Sequence, residues 1–175
     1  MNKIILSLCA GSLLFAGLPV PKTLEADFVQ TVESPDTNRT LSYRGHMLAR
    51  LPGQAKWVYT KPMHKTICLD HDRAWVIEPE LEQATLYRLG QSIPLTAILN
   101  LAEKIDTHRY VAHYKGIDYD ITVDARKRLE SVAYDDDLGN RVVLRFENLR
   151  TDPVDPDALR CEIPDDYDII DGRMP

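Results

Sequence analysis

The residues of this chain that could do chemistry are spaced for no recognisable reaction. His46, His64, His71, His108 and His113 contain no H-x-x-x-H or H-E-x-x-H pair, the spacings that set two imidazoles on one helix face around a metal. His108 and His113 differ by five, which sends them to opposite faces of a strand. No G-x-S-x-G occurs that would hold a serine nucleophile on a tight turn. Asp135–Asn140 has the acids of a calcium loop, yet Phe146 occupies the twelfth position, where a bidentate Glu is required, so the segment reads as a hairpin turn. The acids between Asp152 and Asp171 read as a solvated edge. The expectation is a protein with no catalytic residue, no metal and no cofactor. What is concentrated instead is aromatic and apolar surface. Trp57 and Tyr59 share one strand face, Trp75 and Ile77 share another, and Pro62 and the acidic turn Asp70–Asp72 separate these segments.

Strands must position these side chains. Ala26–Glu33, Thr40–Arg50, Ala55–Thr60, Lys65–Leu69, Ala74–Ile77 and Ala84–Leu89 are short and broken by turn residues. Tyr110–Tyr114 and Ile117–Val123 follow, joined by Lys115 and Gly116. In the second of these, Ile117, Tyr119, Ile121 and Val123 alternate with Asp118, Asp120, Thr122 and Asp124, the pattern of a half-buried strand. Leu129–Tyr134 and Val142–Asn148 predict a further hairpin, and Leu159–Ile163 and Tyr167–Ile170 close the chain. One segment departs from this rhythm. Ser92 is placed as an N-cap, Pro94 falls in the first turn, and Leu95, Ile98, Leu99, Ala102 and Ile105 line one helical face. A single amphipathic helix among hairpins must rest that face on the sheet.

Cys68 and Cys161 are either a disulfide or two buried thiols. Alternation disfavours the bridge, because Cys161 is in phase with Leu159 and Ile163 while Cys68 is in phase with Thr66 and Asp70.

An ordered series of short motifs resembles the periplasmic lipoprotein carriers of Gram-negative bacteria, the LolA-like family. It runs Phe28-Val-Gln30-Thr, Tyr43-Arg-Gly45, Pro52 ahead of Trp57-Val-Tyr59, Pro62, Asp70, Trp75 and Glu82-Gln83-Ala84, within a similarity spanning Leu24 to Ile170. The resemblance implies a fold that is mainly β with a helical lid (α+β). It would be a curved antiparallel half-barrel of about ten or eleven strands covered by a helix. It also implies a cavity for acyl chains, assigned to Phe28, Met47, Trp57, Tyr59, Trp75, Leu95, Ile98, Leu99, Ala102, Tyr119 and Ile121. The implied function is a chaperone that carries lipoproteins from the inner to the outer membrane. A lipid- or lipoprotein-sensing module of the same architecture, without transport, is the alternative. The implied partners are acylated lipoproteins, an inner-membrane lipoprotein-releasing ABC transporter and an outer-membrane receptor. Two departures stand out: the helix that opens many carriers is reduced or lost, and Leu51 stands where they place the Arg of an Arg-Pro pair. Arg50, one position earlier, is the candidate lid latch only if a bulge restores its face.

The remaining features concern location and solubility. Met1–Lys3 and the apolar run Ile4–Leu18 read as a secretory leader, residues 1–17, ahead of one domain over 18–175. Bulky Leu8 before Cys9 argues against lipidation there. The formal charge of −6 excludes an electrostatic footprint for nucleic acid and leaves little general attraction to anionic lipid. A monomer in the periplasm is expected.

Overall fold

The computed structural model describes residues 18–88 and 94–172, so the leader, the Ser92 N-cap and Cys9 lie outside the described residues. The first half is a meander of six strands: β1 (Thr23–Ser34), β2 (Arg39–Arg50), β3 (Gln54–Lys61), β4 (Lys65–Asp70), β5 (Arg73–Glu78) and β6 (Gln83–Arg88). Helix α1 (Pro94–Asn100) follows. A second meander then runs through β7 (Glu103–Lys104), β8 (Arg109–Tyr114), β9 (Ile117–Val123), β10 (Leu129–Asp135) and β11 (Arg141–Arg150). Strand β12 (Asp168–Gly172) ends the described chain. The twelve strands among the described residues form one sheet, in the order β12-β6-β5-β4-β3-β2-β1-β11-β10-β9-β8-β7. Strand β1 is central because β11 returns to pair with its free side, Phe28 facing Phe146.

Local chemistry accounts for many of the turns. Asp106, Asp124 and Asp136 each accept backbone N–H bonds from residues two to four positions later, an Asx-type turn. The bonds donated by Asn140 and Leu138 hold the Asp136 carboxyl below the usual carboxylate range. Asp135–Asn140 is thus a hairpin turn, as its sequence indicates. Lys115 and Gly116 both have positive φ, the backbone of a tight two-residue hairpin.

Four expectations need correction. The helix stops at Asn100, because Glu103 and Lys104 turn out to pair with Val111 and Tyr110 as a strand. Ile105 therefore lies beyond the helix and is 58% exposed. Leu159–Ile163 is not a strand: Pro156–Leu159 is a 3₁₀ turn with Asp155 as its N-cap, and irregular chain follows. The sheet of the described residues has twelve strands rather than ten or eleven, the added ones including the two-residue β7. Finally, Cys68 and Cys161 are bridged, with Cα atoms 6.3 Å apart. The phase argument assumed a strand around Cys161, and an irregular segment has no such phase.

These corrections expose a two-sided design. After β11 the chain crosses the outer face as a strap. Lys56 Nζ donates to the carbonyls of Ala158 and Arg160, the disulfide pins the strap to β4, and β12 then joins the edge of β6 in parallel. Cys68, Ile77 and Ala84 form a small core beneath it, joined by Trp75, Cys161, Ile163 and Tyr167. The larger core lies on the inner face, where α1 sits.

Candidate functional site

The inner-face core is assembled from strands far apart in sequence. Leu24, Ala26 and Phe28 of β1 meet Met47 and Ala49 of β2, Tyr119, Ile121 and Val123 of β9, and Phe146 of β11. Register explains the meeting: Phe28 lies opposite Gly45 and Phe146, and Met47 opposite Ala26 and Trp57, so alternation keeps all of them on one side. The Phe28 ring lies across Gly45. A Cβ there would collide with the Val58 carbonyl oxygen and come within 2.6 Å of the ring.

Aromatic rings line this face. Phe28 meets Trp57 edge-on at 5.1 Å and Tyr59 at 4.9 Å, and Trp57 lies 6.4 Å from Phe146. Such edge-to-face pairs add about 0.5–1.5 kcal/mol beyond their area burial. Toward β9 and β10, Tyr119 and Tyr134 stand 5.0 Å apart. The Tyr59 hydroxyl donates to Gln30 Oε1 at 3.0 Å. Burial, with Tyr134 and Tyr43 adding to it, pushes its pKa up to about 12, and burial likewise raises those of Tyr119 and Tyr134. The face is greasy and keeps its phenols neutral. Its described residues hold no nucleophile–base pair.

Helix α1 covers this surface. Ile98 is 5% exposed, Leu99 1% and Ala102, just past the helix end, 4%, while Leu95 is partly buried against the same core. Seven residues are too few to be helical in isolation, where roughly 12–15 are needed. Packing therefore holds the helix in place.

Most residues expected at the site come together here: Phe28, Met47, Trp57, Tyr59, Leu95, Ile98, Leu99, Ala102, Tyr119 and Ile121 all belong to the inner core or pack against it. Trp75 does not. It pairs with Cys68, which pairs with Lys56, so it faces outward and packs beside the disulfide. Arg50 is exposed and in the opposite phase to Ala49, so β2 turns it away from the face that α1 covers. Phe146, outside the expected set, belongs to the same inner core, as do Leu24 and Tyr110. The signal for Phe146 was its alternation with Leu144 and Val142, visible once β11 is paired with β1. Four of the histidines sit against carboxylates: His46 on Glu25 and Asp27, His64 on Glu80, His71 on Asp70 and His113 on Asp118.

This architecture has relatives. The family model "Outer membrane lipoprotein carrier protein LolA" matches residues 21–117, more than half of the chain. The chain belongs to the LolA family. An outer-membrane lipoprotein carrier protein of Campylobacter jejuni is 32% identical over 149 residues, 85% of this chain and 86% of that protein. One of Wolinella succinogenes is 32% identical over 154 residues, covering 88% and 89%. Among solved structures, an uncharacterized conserved protein from Thermus thermophilus shares the fold at a TM-score of 0.55 with 12% identity, covering 89% of this chain and 92% of that one. LolA proteins are periplasmic lipoprotein carriers and not enzymes.

Proposed function

We propose that this chain shelters the acyl chains of lipoproteins on the inner face of its sheet, with α1 as the lid, and moves them through the periplasm from the inner to the outer membrane. One observation carries the reading: a helix too short to stand alone lies with its apolar side on an aromatic-lined face. The triacylated N-terminus of a lipoprotein is the cargo that fits such a face. An inner-membrane lipoprotein-releasing ABC transporter would supply it and an outer-membrane receptor would take it.

Energetics explain why a closed lid is useful. Burying a methylene contributes about 0.8 kcal/mol, so one ~16-carbon chain approaches ~12 kcal/mol. Two or three such chains in a preformed hollow would exceed the ~18–21 kcal/mol at which non-covalent affinity saturates, and the load could not leave. Here acyl chains must first displace Leu95, Ile98 and Leu99 from the sheet, and each lost burial costs about 1.5–3 kcal/mol. That cost, about 4.5–9 kcal/mol in all, offsets part of the gain, and together with incomplete burial of the chains it leaves cargo free to pass to any site offering better net burial.

The test is Ile98→Asn, read by urea denaturation and by binding of a fluorescent acylated peptide. The expected result is lower stability with tighter binding, because the closed state competes less well. Lower stability with unchanged affinity would make α1 a permanent part of the core, and wild-type values for both would remove the lid model.

A further inference from the structure

At the end of the sheet where β9 turns into β10, a pocket of about 260 Å³ is open while α1 is seated. Its walls include Leu18, Val20, Leu24, Leu99, Leu129 and Leu149, and Leu24 and Leu99 are essentially without solvent exposure. Its rim carries three successive cations, Arg126, Lys127 and Arg128. The turn that presents them is fixed. The Asp124 carboxylate accepts the backbone N–H groups of Arg126 and Arg128 and the Nε of Arg128, while Lys127 Nζ donates to the Thr107 carbonyl. Asp124 neutralises Arg128. Arg126 has no carboxylate partner among the described residues and Lys127 is held only by the neutral Thr107 carbonyl, so two positive charges without a counter-ion border an apolar hollow on a chain of net charge −6.

We propose that this pocket binds single-chain anionic amphiphiles, with the alkyl chain against the leucines and a carboxylate or phosphate head between Arg126 and Lys127. The charge argues for an anion over a neutral lipid, since an uncharged head would leave both cations without a counter-ion. The size argues for one chain, because the volume lies below the roughly 300–1,000 Å³ of drug-sized ligand sites. The pocket shares Leu24 and Leu99 with the face under α1, but it admits one chain where that face is offered the several chains of a lipoprotein. It does not depend on lid opening.

The test compares dodecanoate, dodecyl phosphate and dodecanol by calorimetry on the whole folded chain at low salt. Both anions are expected to bind at least tenfold more tightly than dodecanol. That preference should shrink in 0.5 M salt, where screening acts within about 3–4 Å, and vanish in the double variant Arg126→Gln, Lys127→Gln. The tighter of the two anions tells a fatty-acid site from a lysophospholipid site. Thr151→Trp, at the exposed mouth, should weaken all three probes without changing thermal stability. Equal binding of the three probes, an anion preference surviving in the double variant, or full binding by Thr151→Trp would each overturn the proposal. Ile98→Asn should leave the anion preference intact, so a failure of the lid reading is distinguishable from a failure here.

Discussion

At position 45 the inner face tolerates no side chain. Phe28 occupies the space over Gly45, and a methyl group there would strike backbone as well as the ring. Because backbone cannot yield cheaply, Gly45→Ala is expected at or above the top of the about 1–3 kcal/mol range for overpacking. It should appear as a lowered urea midpoint with an unchanged slope. The two tryptophans separate by face. Trp57→Ala should cost toward the low end of about 3–5 kcal/mol and weaken acyl-probe binding, whereas Trp75→Ala should cost stability and leave that binding unchanged. Loss of binding in both would place the acyl site on both faces of the sheet. Tyr59 supplies a pH test. Its folded pKa, about 12, exceeds the ordinary value of 10, so the neutral form favours the fold. That stabilisation is complete below pH 10 and is lost as pH climbs toward 12. A fall in thermal stability across this window, smaller in Tyr59→Phe, is the expected outcome.

The strap and α1 are stabilised by different means. The strap is held covalently, through a bridge spanning 93 residues, and a loop of that length predicts about 2–5 kcal/mol from the disulfide. Reduction, or the Cys68→Ser, Cys161→Ser pair, should lower the denaturation midpoint accordingly. Acyl binding should survive, since the strap covers the outer face. Helix α1 has no such covalent tie to the sheet among the described residues and depends on Leu95, Ile98 and Leu99. A segment held only by such contacts is expected to open at a fraction of the global unfolding cost, as the proposed lid role requires.

Across the whole molecule, stability should follow strand order. Strands β1, β2 and β9 are paired on both sides and carry the most deeply buried large side chains of the sheet, Leu24, Phe28, Met47, Ile121 and Val123. The β7 edge and α1 have the fewest partners among the described residues. Native-state hydrogen exchange should therefore show the slowest amides in β1 and β2 and the fastest in β7 and α1. Uniform protection would mean that lid and sheet open together, which would remove the basis for a separate lid.

Sequence alone determined what can be read within about ten residues. The alternation of β9, the hairpin turn Asp135–Asn140 and the helical positions Leu95, Ile98 and Leu99 survive in the structure, and the family resemblance matches the LolA family model, because period and turn chemistry are local properties of the backbone. Tertiary structure decided how those pieces face one another. Alternation gives the phase within a strand, but the turns from Lys61 to Lys65 and from Asp70 to Arg73 set the phase between strands, and they put Trp57 inside and Trp75 outside. The helix ended early because Glu103 and Lys104 found a strand partner, and Cys161 met Cys68 because an irregular strap crosses the sheet. Each of those outcomes depends on contacts between residues distant in the chain, which no local pattern encodes.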